Sequence, residues 1–292
     1  MKRLLFIYLS LLMLLSCNAA TKRALLIGIS DYPINKISEE ASWQKIHGAN
    51  DVLMLGKTLK NQGFKISSLT NSNATAYRIR KALRKLLSEA SNGDIIYLHF
   101  SCHGQPVEDV SGDENDGWDE AIIPYDAWKK PIRGIYDGKN HILDDELNTY
   151  LRSLRSKVGT KGFVYVVIDA CHAGSSYRSE EEGDSIIIRG TDSGFSLSGK
   201  RFVPKIDKRG KIKVEKSPAL ADVCILEACR SYQVNSEIRE NGTYYGSLSF
   251  YVDKIFRTIK LDKNISWTNN VVALMNKDTR LVRQNLVIES SL

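Results

Sequence analysis

The sequence of 292 residues holds only five cysteines, and the four after Cys17 (Cys102, Cys171, Cys224 and Cys229) show neither the spacing of a disulfide framework nor a Cys-x-x-Cys metal pair. These thiols are therefore either core residues or chemistry. There is no proline- or glycine-rich linker and no internal repeat, which argues against a string of small domains. Apolar runs long enough to meet a membrane are missing everywhere except at residues 4–15. Aromatic residues are nearly absent from the one basic cluster, at 200–216, so it lacks the stacking half of a single-strand nucleic-acid site and reads as a solvated loop with no nucleic-acid partner. What remains, 42% hydrophobic and 26% charged, is the composition of an ordinary globular protein with a sizeable core.

Lys2 and Arg3 precede the apolar run, which ends in Leu14-Leu15-Ser16-Cys17. A charged start, about a dozen apolar residues and a small residue before the cut form a secretory signal, too short to span a bilayer. Leu-Leu-Ser-Cys resembles the lipobox of bacterial lipoproteins, which implies a signal at 1–16, an acylated Cys17 as first mature residue, and a tether at 17–22. The expectation is an exported lipoprotein of the bacterial cell envelope, facing the periplasm and anchored to its membrane by lipid. A plain signal cut at Ala19 or Ala20 is the competing reading. The formal charge of +7, less the +2 of Lys2 and Arg3, is too modest to point to any partner.

Beyond the tether, strands and helices alternate. Residues 23–30, 65–69, 94–101, 163–168 and 221–228 read as strands, and 284–289 as one closing the sheet. Helical spacing of apolar residues predicts helices over 51–61, 74–90, 144–154, 247–259 and 267–277. Residues 102–141 form a long loop, and 172–217 a second with no periodicity and many charges, the kind of loop a compact domain keeps for a use. The pattern is that of one α/β domain with a mostly parallel sheet, at 23–292.

In such a sheet functional groups gather past the carboxyl ends of the strands. Two motifs stand there: Ser101-Cys102-His103-Gly104 and Asp169-Ala170-Cys171-His172-Ala173-Gly174. A thiol and an imidazole on neighbouring strand ends are the parts of a nucleophilic hydrolase. Residue type alone leaves Cys102 and His172 as a competing pair. The glycines favour His103 with Cys171, since Gly104 permits close backbone approach and the amides of Gly104 and Cys171 could form an oxyanion hole. A zinc site of Cys102, His103, Cys171 and His172 is a further arrangement, but it leaves Asp169 and the glycines without a role.

The two motifs in this order resemble those of caspase-like cysteine peptidases, and most closely metacaspases and their bacterial relatives. The likeness extends to RALLIGIS with Tyr32, Asn50-Asp51, DGWDE at 116–120, Ile123-Pro124-Tyr125-Asp126 and Asp144-Asp145-Glu146-Leu147. It implies a caspase-hemoglobinase three-layer sandwich with a six-stranded mostly parallel sheet, His103 as general base and Cys171 as nucleophile. It also implies cleavage of polypeptides after Arg or Lys, through a pocket lined by Asp169, Ser101 and Asp51. A carboxylate at a pocket floor does favour a guanidinium or ammonium, although Asp51 can equally cap its helix.

No cofactor is required by this chemistry, but calcium is possible. Residues 108–120 hold seven carboxylates and no Lys or Arg. By resemblance to calcium-stimulated metacaspases, Asp119, Asp144 and Asp145 are the ligands, with Arg178 where the fourth carboxylate would stand. An enzyme of basic specificity would also find cut sites within its own loop at 178–216, Arg189-Gly190 among them. His47, His99 and His141 are expected to be structural or exposed, Cys102 to be filler beside the base, and Cys224 and Cys229, on opposite faces of one strand, to be core residues. The reading from another class is a catalytically silent lipoprotein using the same fold for binding or assembly; the oligomeric state is not legible.

Overall fold

The computed structural model describes residues 20–112, 114, 116–171, 186–191, 193–204, 211–214, 216–281 and 284–292. The signal, the lipobox cysteine Cys17, and His172 and Arg178 lie outside the described residues.

Short apolar runs become strands β1 (Lys22–Gly28), β2 (Lys65–Thr70) and β3 (Ile95–Ser101), followed by β4 (Gly104–Glu108), β5 (Trp118–Ile122), β6 (Ile142–Leu143) and β7 (Phe163–Asp169). The later strands are β8 (Lys211–Lys213), β9 (Asp222–Glu227), β10 (Glu237–Glu240), β11 (Thr243–Gly246) and β12 (Val287–Ser290). The helices are α1 (Gly48–Asn61), α2 (Ala76–Glu89), α3 (Asp144–Val158), α4 (Ser247–Phe256) and α5 (Trp267–Lys277). Among the described residues no helix is long and apolar enough to cross a membrane.

Seven strands form the central sheet in the order β2-β1-β3-β7-β9-β12-β8. The first five run parallel, and β12 pairs antiparallel to β9. The expected sheet had six strands; the seventh is β8, an edge strand of three residues paired with β12. It falls in the segment that carried no periodicity, because Lys-Ile-Lys buries almost nothing on either face. Similarly, 102–141 is not all loop: β4 and β5 within it join β6, just past it, in a small antiparallel sheet, too short and too broken by Pro106 to be recognised from alternation.

Alternation along the central strands sorts side chains into two cores. Ala24, Leu26, Tyr97, Tyr165 and Val167 face α1, α4 and α5 with Leu55, Val252 and Met275. Leu25, Ile27, Ile96, Leu98, Val164 and Val166 face α2 and α3 with Ile79, Leu83, Leu151 and Leu154. Both faces of β3 and β7 are buried along their whole length, which is why these strands read as continuous apolar runs.

Helix α1 starts three residues earlier than its periodicity suggests, because Gly48 lets it sit directly on the strand ends. A Cβ at Gly48 would lie 2.1 Å from the Ser101 carbonyl oxygen and 2.8 Å from that of Ile29. This contact sets the height of Asp51, one turn further on. Gly48→Ala is expected to lift the helix, costing about 1–3 kcal/mol as overpacked cores do. The thermal midpoint should fall by several degrees, and an unchanged melting curve would contradict the packing argument.

Candidate active site

Parallel pairing places Ser101 of β3 opposite Asp169 of β7. His103 and Cys171 therefore stand at the same overhang, two residues past adjacent strand ends. Gly104 makes the approach possible: a Cβ there would lie 2.6 Å from the Cys171 carbonyl oxygen. Cys102, by contrast, points into the apolar core beside α2 and α3, where burial pushes its thiol up to about 12. That removes it from the competing pair.

The His103 ring lies between Trp43, stacked with ring centroids 4.7 Å apart, and Tyr32 at 5.1 Å. Its Nε2 donates to the Gln44 carbonyl at 2.9 Å, while Nδ1 is buried with no hydrogen-bond partner among the described residues. A neutral imidazole that carries its proton on Nε2 leaves a lone pair on Nδ1. Burial lowers the ring to about 3, with Gln44 pulling the other way and the charges of Arg189 and Lys129 adding to the fall. Cys171 is fully buried; its Sγ donates to the Gln233 carbonyl at 2.9 Å.

What covers the thiol is the chain itself. Arg189 N–H donates to the Asn235 carbonyl at 3.0 Å and Glu237 N–H to the Ile187 carbonyl at 2.9 Å, with an antiparallel bridge between Ile188 and Ser236. Residues 187–189 are thus held as an added strand, the way an extended peptide is held along an exposed edge. The carbonyl oxygen of Arg189 accepts from the Cys171 amide at 2.9 Å and from the Gly104 amide at 3.3 Å. These are the two amides the sequence nominated for an oxyanion hole. Gly190 follows so closely that a Cβ on it would lie 2.9 Å from the Cys171 Cβ.

The Arg189 side chain fills a pocket of carboxylates with no exposure to solvent. Its Nη1 lies 2.9 Å from Asp51 Oδ2 and 3.6 Å from Asp169 Oδ1, and its Nη2 2.8 Å from Glu237 Oε1. Nε also donates to Glu237 at 3.0 Å, and Nη1 donates to Ser101 Oγ at 2.6 Å. Asp51, Ser101 and Asp169 are therefore brought together around one guanidinium. Asp51 sits in the first turn of α1 but accepts from Ser101 Oγ and the Gly246 amide, so its carboxylate serves the pocket and not the helix end. Burial pushes Asp51 up to about 7, with Arg189 opposing and Asp169 adding to the push. Burial would raise Asp169 too, but Arg189, Asn235 and Ser249 outweigh it and hold that carboxyl below its ordinary value.

Glu237 is the pocket residue that sequence reasoning missed. It opens β10, whose hairpin with β11 turns at Asn241 and Gly242, both at positive φ (48° and 79°). Asn-Gly between Ile238 and Tyr244 is a strong hairpin signal and would have marked this segment as structured. The base pair of that hairpin, Glu237 with Gly246, contributes one carboxylate and one amide to the pocket. His47 closes it from behind, with Nδ1 2.6 Å from Glu237 Oε2.

Cys229 departs from its expected role as core filler on one face of a strand. Strand β9 ends at Glu227, so alternation no longer governs residue 229, and its Sγ lies 3.3 Å from that of Cys171. Cys224 does lie in the core.

The three nominated calcium ligands line two different cavities. Asp119 and Asp145 line a cavity of about 750 Å³ with Glu108 and His141, whereas Asp144 lines a different one with Glu120, Glu227 and Glu289. Among the described residues no group of three or more His, Cys, Asp or Glu is arranged to hold a metal ion.

Known proteins share this architecture. The chain is 27% identical over 279 residues to Metacaspase-1B of Neosartorya fischeri, covering 83% of this chain and 63% of that protein. It is 28% identical over 273 residues to Metacaspase-1 of Schizosaccharomyces pombe, covering 78% of this chain and 58% of that protein. The chain thus spans less than two thirds of the length of these relatives. Among solved structures, a Geobacter sulfurreducens protein superimposes with a TM-score of 0.62 at 19% identity, covering 93% of each chain. Caspase-1 of Spodoptera frugiperda does so with 0.53 at 15%, covering 92% of this chain and 87% of that one. The family model described as "Caspase domain" matches residues 21–286, nearly the whole described fold, and the chain belongs to the caspase-domain peptidase family.

Proposed function

We propose that this chain is an exported cysteine endopeptidase that cuts after Arg or Lys, and that its first substrate is its own Arg189-Gly190 bond. The observation that carries the reading is the seating of Arg189, with its guanidinium among three carboxylates and its carbonyl oxygen on the amides of Gly104 and Cys171. A basic residue in that position presents its carbonyl carbon to the thiol as a scissile bond would be presented.

The chemistry follows from the groups present. The Cys171 proton passes to His103 Nδ1, which Gln44 keeps available by holding the other ring nitrogen as donor. Sγ then attacks the Arg189 carbonyl carbon, and the oxygen, now anionic, keeps its two amide donors, which strengthen as charge develops. His103 returns the proton to the Gly190 nitrogen as the C–N bond breaks. Water, activated by the same imidazole, releases the thioester and leaves Arg189 as a carboxylate. Once that end withdraws, the pocket accepts a basic residue of another polypeptide. Export and lipid anchoring rest on the charged, apolar and Leu-Leu-Ser-Cys features of residues 1–17.

Mass spectrometry of the purified chain should find a break between Arg189 and Gly190 in the wild type and none in Cys171→Ala or Arg189→Asp. Identical uncut chains in all three would sink the cis-cleavage reading. On peptide substrates, Glu237→Ala removes one partner of a buried ion pair, a loss of about 3–5 kcal/mol. That corresponds to roughly two to four orders of magnitude in kcat/KM for Arg peptides. Peptides ending in Asp should not be cut by either protein, and their turnover by the wild type would contradict the acidic pocket.

Asp51 supplies a pH dependence. With its carboxyl near 7, lowering the pH through that value neutralises one of the pocket charges. KM for an Arg peptide should therefore rise as pH falls below about 7, and Asp51→Asn should lose that dependence; a KM that is flat in the wild type would overturn the assignment.

A further inference from the structure

The peptidase chemistry uses one thiol, yet the structure places two side by side. The Sγ atoms of Cys171 and Cys229 are 3.3 Å apart, inside the contact distance of two sulfurs, and both point toward the carbonyl oxygen of Gln233, at 2.9 and 3.7 Å. They come from adjacent parallel strands, β7 and β9, whose pairing runs to Ile168 opposite Glu227. Cys171 and Cys229 lie three and two residues beyond that pair. The remaining described cysteines, Cys102 and Cys224, belong to the two separate apolar cores. A disulfide needs its sulfurs at about 2.05 Å. The shortfall here is little more than an ångström, within reach of side-chain rotation where both backbones have already left the sheet.

We infer that Cys171 and Cys229 form a reversible disulfide that switches the nucleophile off under oxidising conditions and shields it from irreversible oxidation. This rests on Cys171 being the nucleophile of the proposed peptidase. With a peroxide as oxidant, the Cys171 sulfur attacks one oxygen, the O–O bond breaks, the thiol proton passes to the leaving hydroxide, and the products are a sulfenic acid and water. The Cys229 sulfur then attacks the Cys171 sulfur, the S–OH bond breaks, and a second water leaves with the Cys229 proton. In sum two thiols are oxidised, one peroxide is reduced, and two waters form. A dithiol reverses the step by exchange through a mixed disulfide. The order of events follows from the hydrogen bond: Cys229 donates its proton toward Cys171, and that bond together with burial keeps the Cys229 thiol well above its ordinary value. Cys171 is then the sulfur oxidised first and Cys229 the resolving partner, as redox-responsive pairs require. An exported chain would meet conditions in which such bonds persist.

The test treats the full chain with hydrogen peroxide and then with dithiothreitol. Two readouts follow each step: hydrolysis of an Arg peptide, and peptide mapping of the cysteines. The wild type is expected to lose activity, to lose the mass of two hydrogens, and to yield a Cys171–Cys229 cross-linked peptide; dithiothreitol restores all three. Cys229→Ser and Cys229→Ala, active under reducing conditions, should lose activity to peroxide without recovery, with oxygens added at Cys171. A wild type whose map shows no link between these cysteines, or Cys229 variants that recover as fully as the wild type, would overturn the inference. The map is independent of turnover, so a chain that forms the link but cuts no peptide would count against the peptidase reading and not against the pairing.

Discussion

One buried guanidinium organises the functional end of this protein. Asp51, Asp169 and Glu237 are brought out of water from three separate parts of the chain, and carboxylates so placed cannot all stay ionised without a cation among them. Arg189 is that cation. Because its amide is tied to Asn235, the carbonyl of Ile187 to the Glu237 amide, and its own carbonyl to the amides past β3 and β7, the ion pairs also fix the path of residues 187–190. The site is thus assembled around a piece of its own chain. On the proposed function, a basic substrate would take the place of a like charge, an exchange that leaves the net charge of the pocket unchanged.

The sheet supplies the rest. Parallel strands in register deliver their ends side by side, and the residues just beyond have amide groups that no longer belong to a ladder. Two of these, on Gly104 and Cys171, converge on one carbonyl oxygen. Three neighbouring strands, β3, β7 and β9, end in an imidazole, a thiol and a second thiol. The same geometry that gathers an imidazole and a thiol at adjacent strand ends places Cys229 in van der Waals contact with Cys171.

Much of the central sheet was legible because its strands are buried on both faces and therefore continuous in apolar residues. The helices were legible through their stripes, although α1 began earlier than its stripe because Gly48 is accommodated by a close contact and not by a hydrophobic pattern. The small sheet of β4 to β6 and the edge strand β8 were missed because short strands with little buried area leave no periodic trace. Glu237 was missed with its hairpin, despite the Asn-Gly turn, and Cys229 was placed on a strand face that ends two residues before it. The carboxylates nominated for calcium, Asp119, Asp144 and Asp145, are divided by the fold between two cavities, a placement that position along the chain does not show.

By itself the sequence determined the α/β class and the two strand ends that carry an imidazole and a thiol, since both depend on local pattern: apolar runs, glycine placement and the residues immediately after each strand. Only the tertiary structure decided which carboxylates share a pocket, that Arg189 occupies it with its carbonyl on two amides, and that Cys229 stands beside Cys171. Charge pairing in a buried site and contact between sulfurs are properties of segments tens of residues apart, and no local pattern encodes the distance between them.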